Sequence, residues 1–483
     1  MRATICPVWI DRASDVALRL INGGLWQRER LRGGFAISGA EHNGPYEGTE
    51  GNREEIPDLF MAYVQVNAAS CEVSRSGVFG CRWRSLPRRG YRVPVSDIEN
   101  IQQFAHRPKR INDAVDAFSS YSRDLNFPLQ RVVDLDAKVI NLASYDYLGL
   151  HGNPGIAEAV REAVGRLGTG SGGSSRAIGH HAVHQTLSER LASAVGHEHV
   201  TLFSSGYAAN VGILSQLMRP GDVVFLDRLA HASAIDGAKL SGARVATFPH
   251  NDPVALDRRL TRLTCDGERL VYVEGFYSMD GDRAPLAEIA AVCQKHGALL
   301  LVDEAHSEFL VGPRHRGSCD DAGIVPDIYM GTLSKTLNAQ GGFIAAGREL
   351  GEWIETTTRA RIFSGNLSPL MASAALAALD VVAAEPSRRD RLWANTRAFR
   401  DALAERGVPA YGDTQIVAIP VPDEHCYDIS AQLLRDDIWV GPAVYPVVPV
   451  GKARLRLSIT AALDPGQLLQ AADRIAHAME SRR

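Results

Sequence analysis

Between residues 199 and 333 the chain repeats one pattern: a short apolar run, a turn and a helical stretch. The runs are HVTLFSS, DVVFLD, ARVATF, LVYVEG, ALLLVDEA and DIYMGTL. Helical pieces such as GYAANVGILSQLM and PLAEIAAVCQKHG separate them. Runs that are apolar on both faces need cover on both faces. The pattern therefore predicts an α/β fold, a mostly parallel sheet with helices on either side. In such sheets ligand-binding groups gather at the C-terminal ends of the strands, so the chemistry is sought there.

The flanks read differently. INDAVDAFSSYSRDL has helical apolar spacing from Ile111, and VINLASYDYLGL reads as a strand leading into a turn at Gly149. Asn153-Pro154 opens a helix, a Gly- and Ser-rich loop follows (GTGSGGSSRAIGHHA), and VHQTLSERLASAVG is again helical. After IFSGNLSP comes an alanine-rich helix, MASAALAALDVVAAE. Short strands (TQIVAIPV, ARLRLSI) and helices (DISAQLLRDD, PGQLLQAADRIAHAME) complete a smaller α+β domain. Residues 1–110 hold Arg- and Gly-rich patches (WQRERLRGG, RWRSLPRRGYR) and little periodicity. They read as an atypical extension, either poorly ordered or upstream sequence from a misassigned start, with a small accessory domain as the alternative. The expected division is extension 1–110, N-terminal segment 111–175, large domain 176–368 and small domain 369–483.

Composition excludes several classes. The 483 residues carry 52 basic and 56 acidic side chains, a net charge of −4, so no basic excess marks a nucleic-acid or membrane-surface protein. Seven scattered cysteines form no CxxC pair; they read as reduced cytoplasmic thiols, with no disulfide frame and no metal site. No apolar run approaches the roughly 20 residues of a membrane helix. The N-terminus lacks the apolar core and cleavage site of a signal peptide.

The strand ends supply a set of unusual residues. In FSSGYAAN, Ser205, Gly206 and Tyr207 stand at a strand-to-helix junction. Such a junction suits phosphate, because helix N-terminal N–H groups point outward and glycine permits close approach. It also suits an ordinary tight connection. His231, in DRLAHASAID, offers a flat ring that could stack on an aromatic cofactor or simply be hydrogen-bonded. VEGFYSMDGD places Glu274 and Ser278 in a polar loop. Asp303 ends the apolar run LLLVD, where a carboxylate is costly unless paired; a protonated ring nitrogen would pair it, and a helix cap is the plainer alternative. His306, three residues on, could hydrogen-bond a phenolic oxygen. GTLSKTLNAQGG then gives Lys335 among Thr332, Ser334 and Thr336, with Gly341-Gly342 behind. A lysine held rigidly and desolvated can form a Schiff base. Phosphate turn, stacking histidine, acid and lysine, in that order, are the layout of a pyridoxal-5′-phosphate (PLP) enzyme.

GTGSGG, FSSGYAAN, HASAIDGAKLSGA, HND, VEGFYSMDGDRAPLAEI, LLVDEAHS, GTLSKT with GGF, and ARLRLSITAA closely resemble the α-oxoamine synthases, which are fold-type-I PLP enzymes. The resemblance covers about residues 111–480. It implies that Lys335 carries PLP, that Asp303 pairs with the pyridine nitrogen, that His306 meets the ring oxygen and that His231 stacks on the ring. It further implies that Ser205, Gly206, Tyr207, Ser278 and Thr332 hold the cofactor and its phosphate. Ser364, in FSGNLSP, matches a hydroxyl that the family supplies across a homodimer interface, and Arg456 matches the arginine that binds the amino-acid carboxylate. The implied reaction condenses an amino acid with an acyl thioester, on CoA or on an acyl-carrier protein, with loss of thiol and usually CO2. Another fold-type-I reaction, such as transamination, is the alternative. A non-catalytic scaffold subunit would be expected to lack the lysine. Three departures bear on substrate: Tyr145 stands where several members carry Asn and serine palmitoyltransferases resemble this chain, Val447 stands where oxononanoate synthases tend to have Thr, and Ser175 replaces an arginine, with Arg176 one step displaced.

Overall fold

The structure, a computed structural model, describes residues 139–480 together with Arg30–Leu31 and Gly34–Phe35. The extension 1–110 and the helical reading of 111–125 otherwise lie outside the described residues. The chain divides into two units, Met1–Gln103 and Phe104–Arg483. In the first, β1 (Arg30–Leu31) and β2 (Gly34–Phe35) pair antiparallel. All that follows concerns the second.

Its centre is a seven-stranded sheet. The strands are β4 (His199–Phe203), β5 (Val223–Asp227), β6 (Arg244–Phe248), β7 (Arg269–Glu274), β8 (Leu299–Asp303), β9 (Ile328–Thr332) and β10 (Gly342–Ala346), following the two-residue β3 (Ile140–Asn141). Their spatial order is β4-β10-β9-β8-β7-β5-β6. β9, β8, β7, β5 and β6 pair in parallel, and β10 runs antiparallel to both neighbours. The six runs read from the sequence are therefore six of the seven strands. The reversed β10 hides in GGFIAA, whose two leading glycines read as a turn.

Helices cover both faces, as apolar alternation requires. Before the sheet come α1 (Pro154–Leu167) and α2 (Ala182–Val195). Between its strands lie α3 (Gly206–Leu217), α4 (Ala232–Leu240), α5 (Pro253–Arg262) and α6 (Leu286–His296). On one face Val224, Leu226, Tyr272 and Leu301 pack with Ile213 and Leu214 of α3 and Ala234 of α4. On the other, the intervening Phe225, Val271, Val273 and Val302 pack with Leu256 of α5 and Ile289 of α6. Period-2 alternation thus sends neighbours to opposite cores. Burying each such side chain contributes about 1.5–3 kcal/mol. The sheet is consequently rigid where its strands end.

The remaining helices are α7 (Ser318–Asp321), α8 (Arg348–Thr357), α9 (Arg359–Ile362), α10 (Pro369–Ala384), α11 (Ser387–Glu405), α12 (Asp423–Arg435) and α13 (Pro465–Glu480). α10 starts where Ser368 caps Leu370 N and proline fills the first turn. A three-stranded antiparallel sheet, β11 (Ile416–Pro420), β14 (Arg454–Ser458) and β13 (Gly441–Ala443), lies in this C-terminal part. β12 (Ile438–Trp439) pairs with β3, so the strand read in VINLASYDYLGL shrinks to two residues and the rest is irregular chain. α12 begins at Asp423, earlier than DISAQLLRDD suggested. No single helix among the described residues is long and apolar enough to cross a membrane.

Candidate active site

The C-terminal ends of β4, β5, β7, β8 and β9 open onto one cavity of about 210 Å³. Its lining includes Ser205, Gly206, Tyr207, His231, Glu274, Asp303, His306, Thr332 and Lys335. Register explains the gathering. Glu274 and Asp303 are partners across β7 and β8. Gly342, where reversed β10 begins, pairs with Phe203 and with Thr332. A Cβ on Gly342 would sit 2.6 Å from Gly206 N and Cα, so glycine alone lets β10 lie against the start of α3. Gly206 is itself confined, since a Cβ there would stand 2.9 Å from Met330 Cε. Ser205 caps α3 by accepting from Ala208 N at 3.1 Å. The helix thereby presents its N-terminus at the cavity, a favourable place for an anion. Tyr207 donates its hydroxyl to the Asp236 carboxylate.

Asp303 is buried and aimed by three donors: Asn210 Nδ2 at 2.8 Å and Tyr272 Oη at 2.7 Å to Oδ2, and Ala305 N at 3.0 Å to Oδ1. Beside it, burial and then the Asp303 charge push the Glu274 carboxyl well above its ordinary range. Glu274 is the last residue of β7, consistent with the run LVYVEG, and not part of the loop that follows. Its Oε1 and Asn210 Oδ1 are buried without hydrogen-bond partners among the described residues.

Lys335 Nζ lies 2.8 Å from His306 Nε2, and His306 Nδ1 lies 2.6 Å from Tyr147 Oη. Burial lowers the Lys335 pKa against the opposing pull of Asp303, Glu274 and Glu308. Burial, aided by Lys335 and Arg456, holds His306 well below its usual range. Each group is thereby biased toward its unprotonated form. Thr332 Oγ1 bonds Ser334 Oγ at 2.8 Å and donates to Gly341 O at 3.0 Å, fixing the turn before the lysine. His231 accepts from Ser233 N at 3.2 Å through Nδ1. Desolvation of its ring outweighs the Asp303 charge and lowers its pKa.

Arg456 is on β14, where Arg454, Arg456 and Ser458 share one face while Leu455 and Leu457 enter the core. It donates from Nε to Ser278 O at 3.0 Å and from Nη1 to Ser458 Oγ. Tyr145 lies over it, ring centroid 4.6 Å from Cζ, and stands 5.8 Å from Lys335 Nζ. Ser278 is outside the cavity lining and contributes a carbonyl to Arg456. Ser364 is also outside it and donates to Ala360 O at 2.5 Å. Ser175 is buried and Arg176 exposed. Sequence reasoning missed Tyr147, Asn210, Tyr272 and Ser233. The repeated tyrosine in SYDYLGL was the one available signal.

The donor set suits PLP. A carboxylate stands ready for a ring nitrogen, a helix N-terminus for a phosphate, an imidazole for a ring face and a buried lysine amine for an aldehyde. The profile of aminotransferase class I and II matches residues 137–475. An 8-amino-7-oxononanoate synthase from Citrifermentans bemidjiense is 41% identical over 347 residues, covering 70% of this chain and 89% of that one. The chain belongs to the α-oxoamine synthases. The 8-amino-7-oxononanoate synthase of Geobacter sulfurreducens is 42% identical, covering 71% and 89%. A structure of serine palmitoyltransferase from S. paucimobilis with bound PLP-myriocin aldimine superposes with a TM-score of 0.75 at 32% identity, covering 78% of this chain and 99% of that one. An 8-amino-7-oxononanoate synthase structure from Francisella tularensis gives 0.62 at 25% identity, covering 72% and 99%. This α-oxoamine synthase is a PLP-dependent acyltransferase.

Proposed function

We propose that the protein joins the α-carbon of a small amino acid to the acyl group of a thioester, releasing thiol and CO2 and leaving an α-amino ketone. One observation carries the reading: a desolvated Lys335 amine opens onto the same cavity as Asp303, with Arg456 beside it under Tyr145. PLP bound at Lys335 supplies an electron sink for the α-carbon. Asp303, aimed by Asn210 and Tyr272, holds a proton on the ring nitrogen. Lys335 Nζ, once free, takes the α-proton as general base. Arg456 grips the substrate carboxylate, a task its two-pronged guanidinium suits, and Tyr145 covers it. His231 Nε2 donates to the acyl oxygen as charge develops there.

Ser205, Gly206, Tyr207 and Thr332 hold the phosphate, with Ser278 bracing Arg456 from the neighbouring loop. Ser364 serves the site of a second copy in a homodimer, and the enzyme works in the cytoplasm on CoA or carrier-protein thioesters. The large domain spans 176–368 and the small one 369–483, with 111–175 leading in. A panel of amino acids crossed with acyl thioesters, read by mass detection of ketone and by thiol release, tests the proposal. Ketone with one equivalent of thiol supports it. Pyridoxamine phosphate coupled to keto acid, with no thiol, would assign transamination instead.

A further inference from the structure

Behind the lysine, a buried line of hydrogen bonds joins Lys335 to Arg456 through two groups that the reaction scheme does not use, His306 and Tyr147. Arg456 Nη2 lies 3.5 Å from Tyr147 Oη, Tyr147 Oη lies 2.6 Å from His306 Nδ1, and His306 Nε2 lies 2.8 Å from Lys335 Nζ. Tyr147 is fully buried, two residues after the exposed Tyr145. The hydrogens on this line can be assigned by counting. A guanidinium only donates, so Arg456 occupies a lone pair of the phenol oxygen. The phenol has one hydrogen, and His306 Nδ1 stands at hydrogen-bond distance to accept it. Burial pushes the Tyr147 hydroxyl up to about 12 although Arg456 pulls the other way, so the hydrogen stays on the tyrosine at working pH. With Nδ1 accepting, a neutral His306 carries its proton on Nε2. It can then only donate toward the lysine, and a lysine that accepts is a free amine.

We propose that Tyr147 is a positioning residue for the base: its hydroxyl fixes His306 as the Nε2–H tautomer, which keeps Lys335 unprotonated and directs a donor toward whatever oxygen the cofactor places beside it. Without that hydroxyl, His306 can present Nε2 as an acceptor, and the lysine is free to hold its third proton. Because Tyr147 also touches Arg456, the tautomer is set from the side where the amino-acid carboxylate is proposed to bind. The charged and titratable groups around the pair are Asp303, Glu274, Glu308, His231, Arg456 and Tyr145. None of these six hydrogen-bonds Nδ1, which Tyr147 holds. The inference rests on the Lys335 reading above, but its test separates the two.

The first measurement needs no variant. ¹⁵N-histidine labelling of the apo-protein, with the His306 signals assigned by their loss in His306→Gln, reports which ring nitrogen carries the proton. The proton on Nε2, with Nδ1 unprotonated, is expected; a proton on Nδ1 overturns the proposal. The second measurement is the pH dependence of the rate at which the apo-protein captures PLP at Lys335, which follows the free amine. In Tyr147→Phe the midpoint should move up by about one pH unit, the scale of one net hydrogen bond, so capture at neutral pH slows about tenfold. A purely structural role would lower occupancy without moving the midpoint. Unchanged tautomer and midpoint in a folded Tyr147→Phe overturn the relay while leaving the lysine assignment intact. Wild-type protein that captures no PLP at Lys335 overturns the lysine assignment itself.

Discussion

Replacing His250 with Gln tests how the site is braced. His250 Nδ1 lies 2.9 Å from Asp227 Oδ1 and Nε2 lies 2.7 Å from Asp282 Oδ2. The imidazole thus joins the end of β5 to the loop after β7. Burial pulls its pKa down, yet the two aspartates more than offset that and raise it to about 10. The gap from the ordinary 6.5, at about 1.4 kcal/mol per pH unit, sets a ceiling of roughly 5 kcal/mol. Asp282 is 32% exposed, and solvent screening reduces the expectation to about 2–3 kcal/mol. The folded pKa exceeds the unfolded one. The contribution is therefore complete below about pH 6.5 and is lost as pH rises through 10. Urea unfolding of wild type and His250→Gln, compared from pH 6.5 to 10.5, should show a gap that is large at the acid end and closes at the alkaline end. A gap that is constant or widens with pH would refute the clamp. The same loop carries Ser278 O to Arg456, so the variant should also raise the amino-acid KM more than it lowers kcat.

Arg456→Lys should raise the amino-acid KM about 10- to 100-fold, because a point charge replaces a two-pronged grip; an unchanged KM in steady-state assays would move the carboxylate elsewhere. Asp303→Asn keeps a side chain of the same shape beside Asn210 and Tyr272 but removes the charge, and activity should fall by two to three orders of magnitude, on the scale of a broken buried pair, with PLP still bound by spectrum. Gly342→Ala puts a Cβ 2.6 Å from Gly206 backbone; a cost of about 1–3 kcal/mol is expected, seen as a lower Tm together with weaker PLP binding in fluorescence titration. Ser364→Ala should weaken PLP binding only if that hydroxyl crosses a dimer interface, and unchanged affinity in a dimer shown by light scattering would exclude the shared site.

Much of this was legible because strand-end chemistry is local in sequence. Asp303, His306 and Lys335 each follow an apolar run whose burial can be read directly, and the parallel sheet follows from the same runs. What sequence could not supply was register and distance. The run LVYVEG reaches Glu274, but nothing local says that this strand end lies beside Asp303. Tyr147 looked like any aromatic in a turn until the fold set it against a histidine 159 positions away. β10 was hidden because its leading Gly342, needed for close approach to α3, is also a residue of turns. α11, from Ser387 to Glu405, is polar over most of its length and showed no clean apolar stripe.

The central claim is that one particular lysine carries the cofactor. The chain has six lysines, at 109, 138, 239, 295, 335 and 452, so a mapped label discriminates well among them. Protein loaded with PLP, reduced with borohydride and digested should yield a single phosphopyridoxyl peptide containing Lys335, and Lys335→Ala should yield none. A label on any of the other five lysines, or no label on protein that has bound PLP, would contradict the account.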